Sequence, residues 1–227
     1  MKGTIVNTIT VLLGSALGLL IGNKFPERVK HIVIQSIGLF TILIGITMIT
    51  KSTKFIEIFI SLILGSITGE LLHLEDGLNI LMEKIKRRVS PDSPHFVEGF
   101  ITATLVFCVG AMTVVGSIQE GLTGDATLLI TKSIMDGVTS LTLASGLGVG
   151  VMFSAISILL IQGGLTLLGT QLTFLMSDVY INNFDGLGGV LIVAIGIQLL
   201  DIQKIKVLNM IPSLVYLPMV IYIGSIL

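Results

Sequence analysis

Long apolar runs make up most of the chain, and short polar or charged connections separate them. A helix needs about 20 apolar residues to cross a bilayer, and several runs reach that length. The pattern predicts an all-α fold, a polytopic transmembrane helical bundle of about eight spans. The predicted spans are Gly3–Asn23, His31–Thr50, Phe55–Leu72, Phe96–Ile118, Thr127–Gly146, Met152–Leu175, Gly186–Leu200 and Val207–Leu227.

One long polar segment, His73–His95, interrupts this pattern. Its leucines and isoleucines recur every three or four residues, charged residues take the other faces, and basic residues cluster near its end. The spacing predicts an amphipathic helix that lies on the anionic cytoplasmic leaflet. An ordinary solvated connector is the alternative.

Spans 5 and 6 come from one stretch that has no charged residue or histidine between Gly137 and Ser177. We place the break between them at the glycine-rich residues 146–150. A re-entrant pair is the alternative to two full spans.

An internal repeat relates the two ends of the chain. Gly38 and Gly45 of span 2 correspond to Gly189 and Gly196 of span 7, each 151 residues later. The same shift relates span 1 to span 6 and span 3 to span 8. The predicted topology makes this an inverted 3+2+3 repeat, an architecture of many secondary transporters. Within one integral membrane domain, 1–227, we therefore distinguish a first three-helix unit (1–72), an amphipathic linker (73–95), a central helix pair (96–150) and a second three-helix unit (151–227).

Composition supports a membrane protein. The chain has 227 residues, of which 52% are hydrophobic and 12% are charged, whereas soluble domains have about 25% charged residues. The predicted partner is the lipid bilayer, and the net charge of −1 gives no reason to expect a nucleic-acid partner. With eight spans and both termini outside, 9 of the 13 Lys and Arg residues lie in cytoplasmic connections. Because cytoplasmic connections are rich in Lys and Arg, this count predicts that both termini are outside.

The candidate site centres on span 5, where Asp136 lies near mid-depth and Lys132 lies one turn earlier on the same face. Ser133 and Ser140 flank that face. Ionisable groups inside a bilayer are costly and mark ion or substrate pathways by default. We interpret the face as a polar cavity in which Asp136 binds a cation or proton, or orients a polar solute. The alternative is a Lys132–Asp136 pair, or hydrogen bonds from Asp136 to Ser and Thr, that only holds helices together.

Further polar residues in the apolar spans extend the candidate binding site. They are Asn7 in span 1, Thr102 and Thr113 on one face of span 4, and Gln162 in span 6. For Asn7, the alternative is a hydrogen bond that joins two helices.

Three carboxylates are candidates for a gate or an external mouth: Glu98, Glu120 and Asp125. The alternatives are a carboxylate that favours a helix N-terminus for Glu98, and solvated loop charges for Glu120 and Asp125.

Enzymatic and metal chemistry lack a sequence signature. Cys108 is the single cysteine, the three histidines are scattered, and neither an H-E-x-x-H nor a G-x-S-x-G motif occurs. We expect no catalytic residue, no metal site and no enzyme activity, and the sequence indicates no cofactor.

Several segments resemble a known family: Glu98–Phe100, Phe107–Met112, Gly121–Asp125, Lys132–Gly137, Gly188–Gly196 and Asn209–Pro212. They are similar to the YdfK/YqgA-like bacterial membrane proteins, a domain-of-unknown-function family. The resemblance covers nearly the whole chain. It implies a bacterial inner-membrane protein of a kind sometimes labelled a transporter, and it supplies no ligand residues.

Together these features predict a small transporter or channel for an ion or small polar solute. Glycine stripes such as Gly14, Gly18 and Gly22 suggest a homo-oligomer, with a dimer favoured. A non-transporting scaffold or partner protein, whose buried polar residues are structural, is the alternative.

Overall fold

The computed structural model describes residues 1–226, except for the side chain of Glu27. In that part of the chain ten α-helices form, and the predicted all-α fold is confirmed. Two short 3₁₀ helices, Thr173–Met176 and Val207–Met210, precede the ninth and tenth α-helices. The α-helices are α1 (Lys2–Gly22), α2 (Glu27–Ile49), α3 (Phe55–Leu71), α4 (Leu74–Val89), α5 (Phe96–Cys108), α6 (Ala111–Thr123), α7 (Thr127–Leu147), α8 (Gly150–Leu167), α9 (Asp178–Leu199) and α10 (Ser213–Gly224).

Five segments in the described chain are long and apolar enough to cross a membrane: α1, Arg28–Ile49, α8, α9 and Val207–Gly224. Two bent pairs, α3 with α4 and α5 with α6, raise the number to seven if each pair is one span. Helix α7 is not among these segments. It has 21 residues, but its polar side chains lower its mean hydropathy. The count of eight spans stays a prediction.

The sequence predicts span 4 as one helix, Phe96–Ile118, and this is wrong. The helix breaks after Cys108, and α6 begins at Ala111 in a direction that differs by 59°. Gly110, between them, has an extended backbone with φ −111° and ψ 154°, so the helical hydrogen-bond ladder cannot continue through it. The connection between predicted spans 4 and 5 is also shorter than expected, because α6 continues to Thr123.

The predicted break between spans 5 and 6 agrees with the structure. α7 ends at Leu147, and Gly148 has a φ of 79°, a conformation that favours glycine.

Predicted span 8 begins as a 3₁₀ helix, and α10 starts only after Pro212. Its last residue, Leu227, lies outside the described residues.

Helix contacts divide the chain into two compact units. Unit 1 comprises residues 1–37 and 86–176. In unit 1, α1 packs against α7 with Gly14 at Gly137, Gly18 at Leu141 and Gly22 at Ser145. The paired numbers rise together, so these two helices run parallel. A Cβ at any of the three α1 glycines would lie 2.3–2.4 Å from a backbone carbonyl oxygen.

Unit 2 comprises residues 38–85 and residues from 177 onward. In it, α2 and α9 are antiparallel: Gly38 lies at the Gly196 carbonyl, and Gly45 lies at the Gly189 carbonyl. Helices α3 and α10 also belong to unit 2, whose buried cluster includes Ile58, Leu187, Leu217 and Ile221. The division at residues 72, 95 and 150 stays a prediction.

The outer face of α7 is apolar, although its inner face is polar. Ile134, Met135 and Val138 are 67%, 58% and 66% exposed, while Lys132 and Asp136 are each 6% exposed. This reversal of the soluble-protein pattern is what a lipid environment requires.

The close α1–α7 packing predicts that Gly14→Ala destabilises the protein. The new Cβ would meet the Gly137 carbonyl and the Ser140 hydroxyl at 2.3 Å, and overpacking of this kind costs about 1–3 kcal/mol. Gly164→Ala is the control, because a Cβ there meets nothing within 4 Å. Unfolding of the detergent-purified variants measures the difference, and equal stabilities would contradict the packing.

Candidate functional site

Asp136 is the centre of a buried polar network in unit 1. Its Oδ2 accepts hydrogen bonds from Lys132 Nζ, one turn earlier on α7, and from Asn7 Nδ2 of α1, at 2.9 Å. The two charged side chains form a salt bridge and are almost fully buried. The structure therefore brings together three residues that the sequence places in the candidate site.

The Asn7 amide extends the network to a third helix. Its Nδ2 also donates to Oε1 of Gln162 on α8, at 2.9 Å. Asn7 and Gln162 are both completely buried. One amide group thus joins α1, α7 and α8, so Asn7 links helices and touches the charged pair at the same time.

The break between α5 and α6 supplies the last part of the network. Helix C-termini leave carbonyl groups without intrahelical donors. Here the Phe107 carbonyl accepts from Lys132 Nζ and from Thr113 Oγ1, each at 2.9 Å. The C-terminal end of a helix also favours a cation. The break therefore provides a second anchor for the Lys132 ammonium group besides Asp136.

The remaining predicted binding residues are less central. Ser133 donates to the Leu129 and Ile130 carbonyls of its own helix, and Ser140 donates to the Gly137 carbonyl. These hydroxyls satisfy the helix backbone rather than Asp136.

Thr102 is buried on α5, and within residues 1–226 no hydrogen bond joins it to Asp136. The sequence predicts one shared face for Thr102 and Thr113. That prediction is wrong because it requires a straight helix, and the 59° bend lies between the two residues.

The sequence interpretation of Glu120 as a loop charge is wrong. Glu120 lies on α6, is 4% exposed, and accepts a hydrogen bond from the Gly3 backbone N–H at 3.0 Å. Its Oε1 also lies 2.8 Å from the amine of Met1. A carboxylate at this position stabilises the N-terminus of α1. The prediction fails because glycines at positions 121 and 124 suggest an earlier helix end.

The other two mouth candidates lie at helix ends. Glu98, in the first turn of α5, contacts His95 Nδ1 at 2.8 Å. Asp125 is exposed in the loop before α7. Hydrogen bonds from the Thr127 hydroxyl and N–H, at 2.6 and 2.9 Å, hold the pKa of the Asp125 carboxyl below its usual range.

Several buried polar atoms around the network form no hydrogen bond with the described chain. They are Thr4 Oγ1, Asn7 Oδ1, Ser117 Oγ, Glu120 Oε2 and Gln162 Nε2. An unsatisfied buried group costs about 1–3 kcal/mol, and such atoms commonly indicate bound water or a ligand. Thr4 and Ser117 are absent from the predicted site. The spacing of Ser117 from Thr113 and Glu120, four and three residues, is the signal that could have identified it.

Metal chemistry has no support in the described part of the chain. No group of three or more His, Cys, Asp or Glu side chains there could hold a metal ion. The functional groups that the site offers are one carboxylate, one ammonium group, two amides and a backbone carbonyl.

Sequence comparison agrees with the membrane architecture. Residues 2–222 match the family model described as a protein of unknown function, DUF554. The chain belongs to this family. It is 33% identical over 227 residues to the uncharacterized membrane protein YdfK of Bacillus subtilis (strain 168), with 98% of this chain and 96% of the relative covered. The predicted family resemblance is confirmed.

A second relative comes from another bacterium. The chain is 30% identical over 217 residues to the uncharacterized protein YqgA of Escherichia coli (strain K12), with 93% of this chain and 92% of YqgA covered. No solved structure matches the chain.

The buried pair predicts strong coupling between Lys132 and Asp136. Removing one partner of a buried pair costs about 3–5 kcal/mol, because the other charge loses its compensation. We expect Lys132→Met to lower the free energy of unfolding by about that amount, and Lys132→Met with Asp136→Leu to lower it less. A double-mutant cycle in detergent measures the coupling. Additive losses would show that the two charges do not stabilise each other.

Proposed function

We propose that this DUF554 protein is a small transporter or channel for an ion or small polar solute, with its binding site around Asp136. The observation that carries the proposal is the Lys132–Asp136 salt bridge, buried in a helix whose outer face is apolar. Charged groups in membrane segments are expensive and typically belong to ion and solute pathways.

The broken helix next to the pair supports this proposal. Transporters commonly form their sites from discontinuous helices, whose free backbone groups contact the substrate or ion. Here the Phe107 carbonyl lies at the end of α5 and contacts Lys132. A movement of α5 relative to α6 would change the contacts of the Lys132 ammonium directly.

We further propose an inverted repeat. The shift of 151 residues pairs α2 with α9, and the reciprocal glycine contacts in unit 2 fit this pairing. Gly38 lies at Gly196 and Gly45 lies at Gly189, an arrangement that a two-fold axis between equivalent antiparallel helices would produce. In unit 1, the parallel course of α1 and α7 fits the predicted topology, in which spans 1 and 5 cross in the same direction.

We also propose that the protein lies in the bacterial inner membrane with both termini outside. A homodimer is also part of the proposal, and it requires a surface other than the glycine stripe of α1. Gly14, Gly18 and Gly22, whose stripe favours a dimer, pack within the chain against α7.

A non-transporting scaffold is the second candidate function. The observation that favours it is the number of contacts that the charged pair makes within the protein. Asn7 and the Phe107 carbonyl already satisfy Asp136 and Lys132, so the network by itself explains how α1, α5 and α7 are held together.

Transport predicts that Asp136→Asn lowers flux at least tenfold in proteoliposomes tested across an ion panel. The substitution keeps the shape of the side chain and removes its charge, so a site that uses the carboxylate loses its ligand. Asp92→Asn is the control, because Asp92 is an exposed acid in the turn after α4.

Flux that survives Asp136→Asn in folded protein would remove this site. If neither ions nor small polar organic solutes move, and Asp136→Asn changes only stability, the scaffold is the correct function.

The orientation predicts which residues an impermeant maleimide reaches in intact spheroplasts. In a Cys108→Ala background, we expect labelling of Lys2→Cys and Ser225→Cys but not of Arg88→Cys. Permeabilised spheroplasts, in which all three cysteines should react, are the control. Labelling of Arg88→Cys alone in intact spheroplasts would reverse the orientation.

A further inference from the structure

Two helices of unit 1 carry buried polar faces that lead away from the charged pair. On α6, Thr113, Ser117 and Glu120 follow one another at intervals of four and three residues, and all three are buried. On α1, Thr4 and Asn7 lie one turn apart and are completely buried. Residues at these intervals share one face of a helix.

The two polar faces meet at one end through Glu120, whose Oε1 accepts from the Gly3 N–H of α1. At the other end they meet through the charged pair. Asn7 binds Asp136, while Thr113 binds the Phe107 carbonyl that also accepts from Lys132. The polar faces of α1 and α6 therefore connect the Glu120 carboxylate with the charged pair.

The two polar faces, their ends and Gln162 beside Asn7 carry polar atoms that lack a partner in the described chain. Thr4 Oγ1, Ser117 Oγ and Glu120 Oε2 can accept hydrogen bonds, as can Asn7 Oδ1, whereas Gln162 Nε2 donates. Water both donates and accepts, so it satisfies all of these atoms, whereas an apolar occupant satisfies none. Buried waters typically occupy sites with two to four such polar partners.

We propose that these residues enclose a chain of bound water that carries protons between Glu120 and the Lys132–Asp136 pair. The proposal rests on the proposed function and specifies a proton as a transported species. From Thr113 to Glu120, α6 rises about 10 Å, a distance that about three or four hydrogen-bonded waters span.

The proton transfer balances without a further reactant. Glu120, paired with the Met1 amine as a carboxylate, first takes up a proton from the aqueous phase. It then releases a proton to the first water and becomes a carboxylate again. Each water accepts one proton and gives one on, and the Asp136 carboxylate receives the last.

Protonation of Asp136 neutralises its charge. Lys132 then keeps its contact with the Phe107 carbonyl but loses its ion pair, so proton arrival is linked to the α5–α6 break. The other titratable groups that face the path are the Met1 amine, at Glu120, and Cys108, which interacts with the charged pair.

The test removes two hydroxyl groups that have no partner in the described chain. In proteoliposomes that contain a pH-sensitive dye, we expect Thr4→Val with Ser117→Ala to lower proton flux at least tenfold without loss of folded protein. Ser154→Ala is the matched control. Its hydroxyl is equally buried but donates to the Val151 carbonyl of its own helix, and its flux should equal that of the wild type.

A second readout detects the water itself. Radiolytic footprinting generates hydroxyl radicals from bound water, which modify adjacent side chains. Leu129 is completely buried and packs against Gly3 and Gly116 beside the path. We expect rapid modification of Leu129 in the wild type and at least threefold slower modification in the double variant.

The outcomes separate this inference from the proposed function. If Asp136→Asn abolishes flux of an ion or solute while the double variant leaves proton flux and Leu129 modification unchanged, transport stands and the water chain is wrong. Absence of proton flux in the wild type also overturns the water chain, while other solutes still test the transporter. An unmodified Leu129 in the wild type overturns it as well.

Discussion

The Lys132–Asp136 pair is the interaction on which the arrangement of unit 1 depends. A bilayer core offers no water to charged groups, so each charge needs partners from the protein. The pair neutralises itself along α7 but leaves hydrogen-bonding capacity on both groups. Asn7 of α1 and the Phe107 carbonyl of α5 meet that need. The helices around α7 are thus positioned by the requirements of two charges on its inner face.

Close helix packing makes the Asn7 contact geometrically accessible. The asparagine side chain is short, so its amide reaches Asp136 only where the backbones of α1 and α7 approach closely. Gly14, Gly18 and Gly22 permit that approach further along the same helix. The glycines in the second half of α1 therefore set the distance between α1 and α7. At that distance Asn7, in the first half, can reach Asp136.

The sequence predicts these features to different degrees, for physical reasons. The apolar runs and the Lys132–Asp136 spacing are local patterns, and both appear in the structure. The break after Cys108 has no such signal, because glycine is common inside membrane helices and the residues around Gly110 stay apolar. The Phe107 carbonyl is a backbone group, so no pattern of side chains could mark it. Glu120 is misplaced because the glycines that follow it suggest an earlier helix end. Its partner, the Gly3 N–H, is too far away in sequence to indicate otherwise.

The neutrality of the pair constrains what the site can bind. The ammonium and carboxylate groups cancel, so the site offers no net charge to a bare ion. A cation that takes the place of Lys132 at Asp136 Oδ2 leaves the ammonium group with only the Phe107 carbonyl. An anion that binds Lys132 has to compete with Asp136 in the same way. A proton that adds to the carboxylate also ends the ion pair, but it needs no coordination shell and no space beside Lys132. A neutral polar solute leaves both charges in place. For the proposed transporter, this geometry fits a proton or a neutral dipolar solute better than a bare metal cation or an anion.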